Sequence, residues 1–371
     1  MSVRSRELGE EEAAAQMLGG CDTRGGAALV AECQEVFDWA QARIDELIGL
    51  ADAKERFAVW RTALEVGQRG VGHGGAVTSC AKNHMVFLGA PGTGKRTFAR
   101  VVGEVLFGVG TTTRPQITEV AADDLIVGGD LLRSAARMKD VCDQARGGVL
   151  FLDEAHRLVP DTEDHFLGVD AITTLQACMA AYRDELVVIV VGYPGPMREF
   201  LAAHAGLAGR FPVTVTFASY TPEDVVALGR RLAGKESLVV EDAGWELLRA
   251  EAARLRSIPY GSGTLLDVAG NARYVREVIV ACRGARVRRL HRCAPSPRDL
   301  RHLVRTDPGV LNVSATDMGR AIAASRPAAG TSAYRRLSQS TQIQARNTFR
   351  QPDTRDSDHD DGDDADLAKY R

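Results

Sequence analysis

The sequence lacks the features that mark a secreted or membrane-spanning protein. Its seven cysteines are an odd number and form no CxxC pair, which excludes a regular disulfide framework and indicates reduced thiols. The most apolar run, Leu186 to Val191, is much shorter than the roughly 20 residues that cross a bilayer. The first residues are charged where a signal peptide would be apolar. We therefore expect a cytoplasmic protein without membrane insertion.

The chain also lacks a strong overall charge. Its formal net charge is only −3, so no global field attracts it to nucleic acid. The arginine-rich stretch Arg283 to Arg305 is basic enough to hold phosphate, but a solvated helix face explains it as well, and no base-stacking aromatic residue accompanies it. Nucleic acid is therefore not an expected partner.

A glycine-rich loop is the most informative stretch of the chain. It lies between the apolar run 84–88 and an apolar helical pattern over 98–106, and it reads Gly89, Ala90, Pro91, Gly92, Thr93, Gly94 and Lys95. In such a loop, backbone N–H groups and a helix N-terminus converge on anionic oxygens, and the lysine supplies charge for the outer phosphates. The spacing predicts a triphosphate site. The alternative is an exposed turn, which would need neither the apolar run before the loop nor the helix after it.

One residue departs from this motif. A small hydroxyl residue normally follows the lysine and coordinates Mg²⁺, but here Arg96 follows it and Thr97 comes next. A guanidinium cannot ligate a cation. Three interpretations stay open: other groups and water hold Mg²⁺, the guanidinium takes over part of the charge neutralisation, or hydrolysis is weak.

A second apolar run ends in two carboxylates, Asp153 and Glu154. A buried parallel strand would deliver both acids at its carboxyl end, beside the phosphate loop. Asp153 is then the candidate metal residue, holding the Mg²⁺ shell, and Glu154 is the candidate to polarise the attacking water. The alternative is an ordinary helix cap, in which an acid satisfies free N–H groups.

Apolar runs alternate with helical patterns through the first two thirds of the chain, which predicts an α/β fold with a parallel sheet. Beyond this region helical periodicity dominates, starting with Thr221 as a helix cap. Strands are expected at 84–88, 116–120, 149–153, 186–191 and 213–217, a loop at 123–129, and helices of the second unit at 225–232, 243–255, 265–289 and 315–324. The predicted units are a loosely ordered leader (1–26), an α/β subdomain (27–218), a small all-helical lid (219–324) and a disordered acidic tail (325–371).

With both motifs in place, the chain resembles the CbxX/CfqX branch of the AAA+ ATPases, which includes ATPases of type VII secretion. The stretches that carry the resemblance are 46–50, 84–95, 147–155, 187–193, 206–212 and 270–273. The resemblance implies a P-loop NTPase with a RecA-like core and a helical lid, ATP with Mg²⁺ as cofactors, and a homo-oligomeric ring, usually a hexamer. It also implies remodelling of a client protein or complex.

The resemblance assigns roles to four further residues. Arg210 matches the arginine finger that reaches into a neighbouring subunit's site, and Arg273 matches the second sensor of the lid. Tyr193 occupies the position of a polar sensor after the fourth strand, and Ile48 belongs to the leading segment expected at the nucleotide. The family tends to carry a pore aromatic that grips a threaded polypeptide, whereas residues 127–130 contain none. A nucleotide-binding scaffold with little hydrolysis is therefore the competing hypothesis.

Overall fold

The computed structural model describes residues 26–71, 79–126, 131–158 and 165–327. Strands alternate with helices up to residue 217, and helices dominate from there on. The strands of the main sheet are β1 (Met85–Gly89), β2 (Ile117–Ala121), β3 (Val149–Asp153), β4 (Val187–Gly192) and β5 (Val213–Phe217). The helices of this part are α1 (Gly26–Asp45), α2 (Ala51–Val71), α3 (Lys95–Gly108), α4 (Ala122–Leu125), α5 (Leu131–Ala145), α6 (His165–Ala181), α7 (Pro194–Ala203) and α8 (Ala205–Ala208).

The sheet has five strands in the order β2, β3, β4, β1, β5, and every pairing is parallel. All carboxyl ends of the strands therefore meet at one edge, which we call the carboxyl edge, and all amino ends meet at the opposite, amino edge. The strand order reverses beside β1, and ligands of such sheets bind in the crevice outside the carboxyl ends at this point. The fold therefore directs attention to the loops after β1, β3 and β4.

Helices cover both faces of the sheet, which explains why β4 is apolar at every position rather than at alternate ones. Val187, Ile189 and Val191 point into one hydrophobic cluster together with residues of α1, α2 and α3. Val188 and Val190 point into the other cluster, with residues of α5, α6 and α7. Side chains alternate along a strand with a period of two, so this strand needs apolar residues throughout.

The second unit consists of helices and one small hairpin. Its helices are α9 (Pro222–Lys235), α10 (Asp242–Ser257), α11 (Leu265–Ala269), α12 (Ala272–Cys293), α13 (Pro297–Thr306) and α14 (Ala315–Ser325), and its hairpin pairs β6 (Pro259–Tyr260) with β7 (Gly263–Thr264). Thr221 caps α9 as predicted, because its hydroxyl accepts from the N–H of Asp224 while Asp224 accepts from the N–H of Thr221. Such a cap stabilises a helix by about 1 kcal/mol.

The predicted strands and helices agree with the structure except at two places. The continuous helix predicted over 265–289 is wrong at its centre, because Gly270 and Asn271 take positive φ angles of 85° and 47° and separate α11 from α12. The loop predicted over 123–129 begins instead with the helical turn α4. Helices α7, α8 and α13 and the hairpin of β6 and β7 were not predicted.

Several predicted features lie outside the described residues. They are the leader before residue 26, the segment 127–130 where the pore aromatic would belong, and the acidic tail from residue 328. Among the described helices, none combines the length and the apolar character needed to cross a membrane. The described cysteines are all free.

Candidate nucleotide site

The glycine-rich loop connects β1 to α3 at the carboxyl edge of the sheet. The loop is closed internally, because the hydroxyl of Thr93 donates to the carbonyl of Ala90 over 2.8 Å and is fully buried. Lys95 folds back over the loop, and its Nζ donates to the carbonyls of Gly89 and Ala90 at 2.9 and 2.6 Å. The first turn of α3 therefore starts beside a compact loop whose lysine lies at its centre, as a phosphate site requires.

Two glycines of the loop are there because neighbouring backbone leaves no room. A Cβ on Gly89 would lie 2.5 Å from the carbonyl oxygen of Phe217, and a Cβ on Gly92 would lie 1.8 Å from that of Gly270. Gly92 also has a φ of 71°, which disfavours any residue with a side chain. The loop is thus tightly held between β5 and the lid.

The charge of Lys95 is poised within the working pH range. Burial and the charge of Arg273 together lower the pKa of its ammonium to about 8, although Asp153 and Glu154 act in the opposite direction. An anion placed beside Lys95 would favour its charged form. Lys95 is therefore the residue whose charge responds most directly to a bound phosphate.

The break between α11 and α12 contacts the phosphate loop directly. The N–H of Ala272 donates to the carbonyl of Gly92 over 3.1 Å, and the side-chain amide of Asn271 donates to the carbonyl of Pro91 over the same distance. The break therefore joins the second unit to the loop through backbone atoms. Arg273 follows at once, in the first turn of α12 and exposed.

Asn271 was not identified from the sequence as a site residue, although it makes most of this connection. It is completely buried. Its amide also donates to Asp267, and its side-chain oxygen accepts from the N–H of Tyr220. Asp267 in turn accepts from the hydroxyl of Ser219. Asn271 thus links the loop, the segment between β5 and α9, and the lid.

Arg96 takes part in a charged group at the first turn of α3. Its Nε lies 2.6 Å from Glu119 Oε2, and its Nη2 lies 3.6 Å from Asp153 Oδ2. Glu119 comes from β2, and Asp153 ends β3, beside it in the sheet. Glu119 was not predicted as a site residue, because the pattern of a single strand does not show which side chains of other elements it meets. The pairing of Arg96 with Asp153 was not predicted either.

These residues do not fit a conventional protein-held Mg²⁺. The hydroxyl that would bind the metal is replaced by a guanidinium, and the carboxylate that would serve the metal already faces that guanidinium. At a nucleotide site Mg²⁺ is held by one or two side-chain oxygens together with phosphates and water, and here Oδ2 of Asp153 lies 3.6 Å from the guanidinium of Arg96. The loop has the donors that a triphosphate needs, whereas a guanidinium replaces the hydroxyl that the motif normally offers to the metal.

Glu154 follows β3 with a φ of 52°, a strained value for a residue with a side chain. Its Oε2 accepts from Arg157 Nη1 over 2.8 Å, and the same nitrogen lies 2.8 Å from Asp123 of α4. Glu154, the carboxylate predicted to polarise water, is thus held by Arg157, which was not predicted as a site residue.

The other predicted site residues lie around the loop. Tyr193 follows β4 as the cap of α7, and its ring meets that of His156 edge-on at 6.0 Å. Thr97 lies exposed in the first turn of α3. Ile48 is partly buried in the turn before α2. Within that turn Leu50 comes closest to the loop, since its Cδ1 lies 3.4 Å from the position of a Cβ on Gly94.

Arg210 lies away from this group, at the amino edge. It precedes β5, whose five residues extend over roughly 16 Å before reaching the carboxyl edge. Together with Lys82, Arg183 and His84 it lines a cavity of about 460 Å³. Burial and the charge of Arg210 lower the pKa of His84 to about 4, so this histidine is neutral. The cavity is therefore positively charged through its other three side chains.

The match to known families decides the assignment of this fold and loop. Residues 85–218 match the family described as "ATPase family associated with various cellular activities (AAA)". These residues form an AAA ATPase domain. The AAA domain thus starts with β1, contains the phosphate loop and both acids, and ends just after β5.

Curated relatives of the chain include proteins named for secretion systems. The chain is 34% identical over 307 residues to the ESX-1 secretion system protein EccA1 of Mycobacterium tuberculosis, covering 82% of this chain and 51% of that protein. It is 36% identical over 289 residues to the ESX-3 secretion system protein EccA3 of Mycolicibacterium smegmatis, covering 76% of this chain and 46% of that protein. The chain thus spans about half the length of these relatives. A solved FIGL-1 AAA domain in complex with ADP is more distant, with 16% identity and a TM-score of 0.48 over 82% of this chain and 89% of that one.

Two arginines of the arginine-rich region 283–305 make contacts within the second unit, whereas the other arginines of that region are exposed. Arg289 Nε lies 2.8 Å from Asp317, and Arg289 Nη2 donates to the carbonyls of Val310 and Asn312. Arg286 donates to the carbonyl of Leu311. These contacts give the two arginines a structural role.

Proposed function

We propose that this chain binds ATP at the AAA domain and hydrolyses it in a homo-oligomeric ring, usually a hexamer, to remodel a client protein or complex in the cytoplasm. The position of Arg210 carries the proposal. Arg210 belongs to the amino edge, whereas Lys95 and Glu154 belong to the carboxyl edge, so an Arg210 that acts on ATP has to act on the ATP of another copy. The names of the EccA relatives support a client within a secretion system.

Each residue then has a defined task. Lys95 and the N–H groups of the loop hold the phosphates, and Glu154, once released from Arg157, orients the attacking water. Arg210 of the neighbouring copy neutralises charge that develops on the transferred phosphoryl group. Asn271 and Arg273 transmit the state of the loop to the lid, which would move with each cycle.

A mixing experiment tests this division of labour. Lys95→Ala and Arg210→Ala should each abolish phosphate release. Mixed in equal amounts, they should regain part of it, because some interfaces then combine an intact loop with an intact Arg210. Arg198→Ala, an exposed arginine of α7, is the matched control and should retain full activity. If the mixture stays inactive while both variants assemble with the native protein, action between copies is refuted.

The second candidate is a nucleotide-gated scaffold that binds ATP and turns it over slowly or not at all. The pairs Arg96–Asp153 and Arg157–Glu154 favour it, because they occupy the two acids that hydrolysis would use. ATP binding without phosphate release in the native protein, together with activity regained in Arg96→Thr, would establish the scaffold and overturn the motor.

A further inference from the structure

Arg96 is oriented by two carboxylates from neighbouring strands. Its Nε faces Glu119 at 2.6 Å and its Nη2 faces Asp153 at 3.6 Å, so the guanidinium bridges the middle of β2 and the end of β3. Its position in the chain, directly after Lys95 and in the first turn of α3, brings it to the place where the outer phosphates of a nucleotide would arrive. The remaining N–H groups of the planar guanidinium are available to a further acceptor.

The bridge is not needed to hold the fold together. The side chain of Arg96 is 53% exposed, and those of Glu119 and Asp153 are 28% and 36% exposed. Ion pairs at this level of exposure contribute little to stability, because solvent screens them and ordering both side chains costs entropy. The strands are already joined by their backbone ladder. The arrangement therefore requires an explanation in terms of charge at the site.

Arginine is well suited to phosphate, because its fork of donors matches two phosphate oxygens and its charge is permanent. A divalent cation at the same place would meet a like charge and would lose part of Asp153. The group of Lys95, Arg96, Glu119 and Asp153 can therefore accept a phosphate chain without a metal, with Arg96 supplying the positive charge that Mg²⁺ supplies elsewhere.

We infer that Arg96 takes the place of the magnesium ion, so that this AAA domain binds metal-free ATP about as tightly as ATP complexed with Mg²⁺. Glu119 is the positioning residue that aims the guanidinium. The inference rests on the proposed ATP site and goes beyond it by naming the form of the nucleotide that the site accepts.

Calorimetric titration with ATP tests the inference, once in excess EDTA and once in excess Mg²⁺. In the native protein, the dissociation constant for ATP in EDTA should be no more than about threefold higher than in Mg²⁺. In Arg96→Thr, which restores the usual hydroxyl, ATP binding in EDTA should weaken by about 10- to 100-fold, and added Mg²⁺ should recover most of that loss.

Arg100 provides a matched control. It lies one turn further along α3, its Nη2 is 3.4 Å from the other oxygen of Glu119, and its side chain is 63% exposed. Arg100→Thr should leave both dissociation constants unchanged. If Arg100→Thr weakened ATP binding in EDTA as much as Arg96→Thr, the effect would come from general surface charge, and the inference would be overturned.

The outcomes separate this inference from the function on which it rests. Native protein that binds ATP in Mg²⁺ but more than about threefold more weakly in EDTA would overturn the role of Arg96 and leave the ATP site intact. Native protein that binds ATP in neither condition, while its thermal unfolding shows an intact fold, would overturn the ATP site itself.

Discussion

The two edges of the sheet differ in how their charges are compensated. At the carboxyl edge, two arginines face acids of the same chain: Arg96 faces Asp153, and Arg157 faces Glu154. At the amino edge, the cavity is lined by Lys82, Arg183 and Arg210. The side chains of these three make no ion pair within the described part of the chain, and Arg210 Nε is buried there without a hydrogen-bond partner.

The difference indicates which edge balances its charges within one chain and which does not. Unpaired charge near a protein surface attracts its complement from elsewhere, whereas paired charge is already balanced. The carboxyl edge therefore has its own resting state, in which the Arg157–Glu154 pair has to open for hydrolysis while Lys95 and the remaining N–H groups of Arg96 are available to a nucleotide. The amino edge has no internal complement among the described residues, which agrees with the proposal that it meets the phosphates of another copy.

The largest expected effect concerns Glu154 at the carboxyl edge. Glu154→Gln should lower phosphate release by about 10²- to 10⁴-fold, because an amide cannot accept a proton from the attacking water. ATP affinity should stay near that of the native protein. Glu199→Gln, on the exposed face of α7, is the control. Unchanged turnover in Glu154→Gln would show that this residue takes no part in the chemistry. It would also contradict the assignment of the chemistry to the acids of the carboxyl edge.

Asn271 should show the next largest effect, on stability. Asn271→Gly retains the positive φ but removes the hydrogen bonds to Pro91, Asp267 and Tyr220, and it leaves the buried N–H of Tyr220 without its acceptor. We expect a loss of about 2–3 kcal/mol in the free energy of unfolding, measured by urea denaturation. Asn312→Gly is the matched change, at an asparagine whose side chain makes no hydrogen bond within the described residues. Equal losses in both variants would contradict a linking role for Asn271.

Lys95 should make ATP binding depend on pH. Its ammonium has a pKa of about 8 in the empty site, and a bound phosphate favours the charged form, so binding above pH 8 takes up a proton. The affinity should therefore be constant below pH 8 and fall by at most about tenfold per pH unit above it. Titrations between pH 7 and 9.5 would measure this. In Lys95→Arg, whose charge is permanent, the decline should disappear. A decline that persists there would have to come from another group.

The smallest effect is expected at the amino edge. Lys82 is exposed, so Lys82→Ala should change the free energy of unfolding by no more than about 0.5 kcal/mol and should leave ATP affinity unchanged. Phosphate release should fall, but less than in Arg210→Ala, because Lys82 would contribute only to the field around the neighbour's phosphates. A loss of ATP affinity in Lys82→Ala would contradict the assignment of this edge to another copy.

The central strands and the phosphate loop were predictable because their signals are local. A continuous apolar run such as 187–191 suits a strand covered on both faces, and the spacing from Gly89 to Lys95 places donors around a phosphate. The break at Gly270 and Asn271 was missed because apolar residues recur at helical spacing on both sides of it. The local signal for the break was Gly270, which ends α11 in the left-handed conformation, and the contact of Ala272 with Gly92 fixes the turn in place.

By itself, the sequence determined the order of strands and helices, the phosphate loop, the two acids after β3 and the substitution at Arg96. Each of these depends on neighbouring residues and their periodicity. Only the tertiary structure decided that Arg96 faces both Glu119 and Asp153, that Arg157 holds Glu154, and that Arg210 lies at the opposite edge from Lys95. Those facts depend on which strands lie side by side and in which direction they run, and side chains far apart in the chain meet only once that pairing is established.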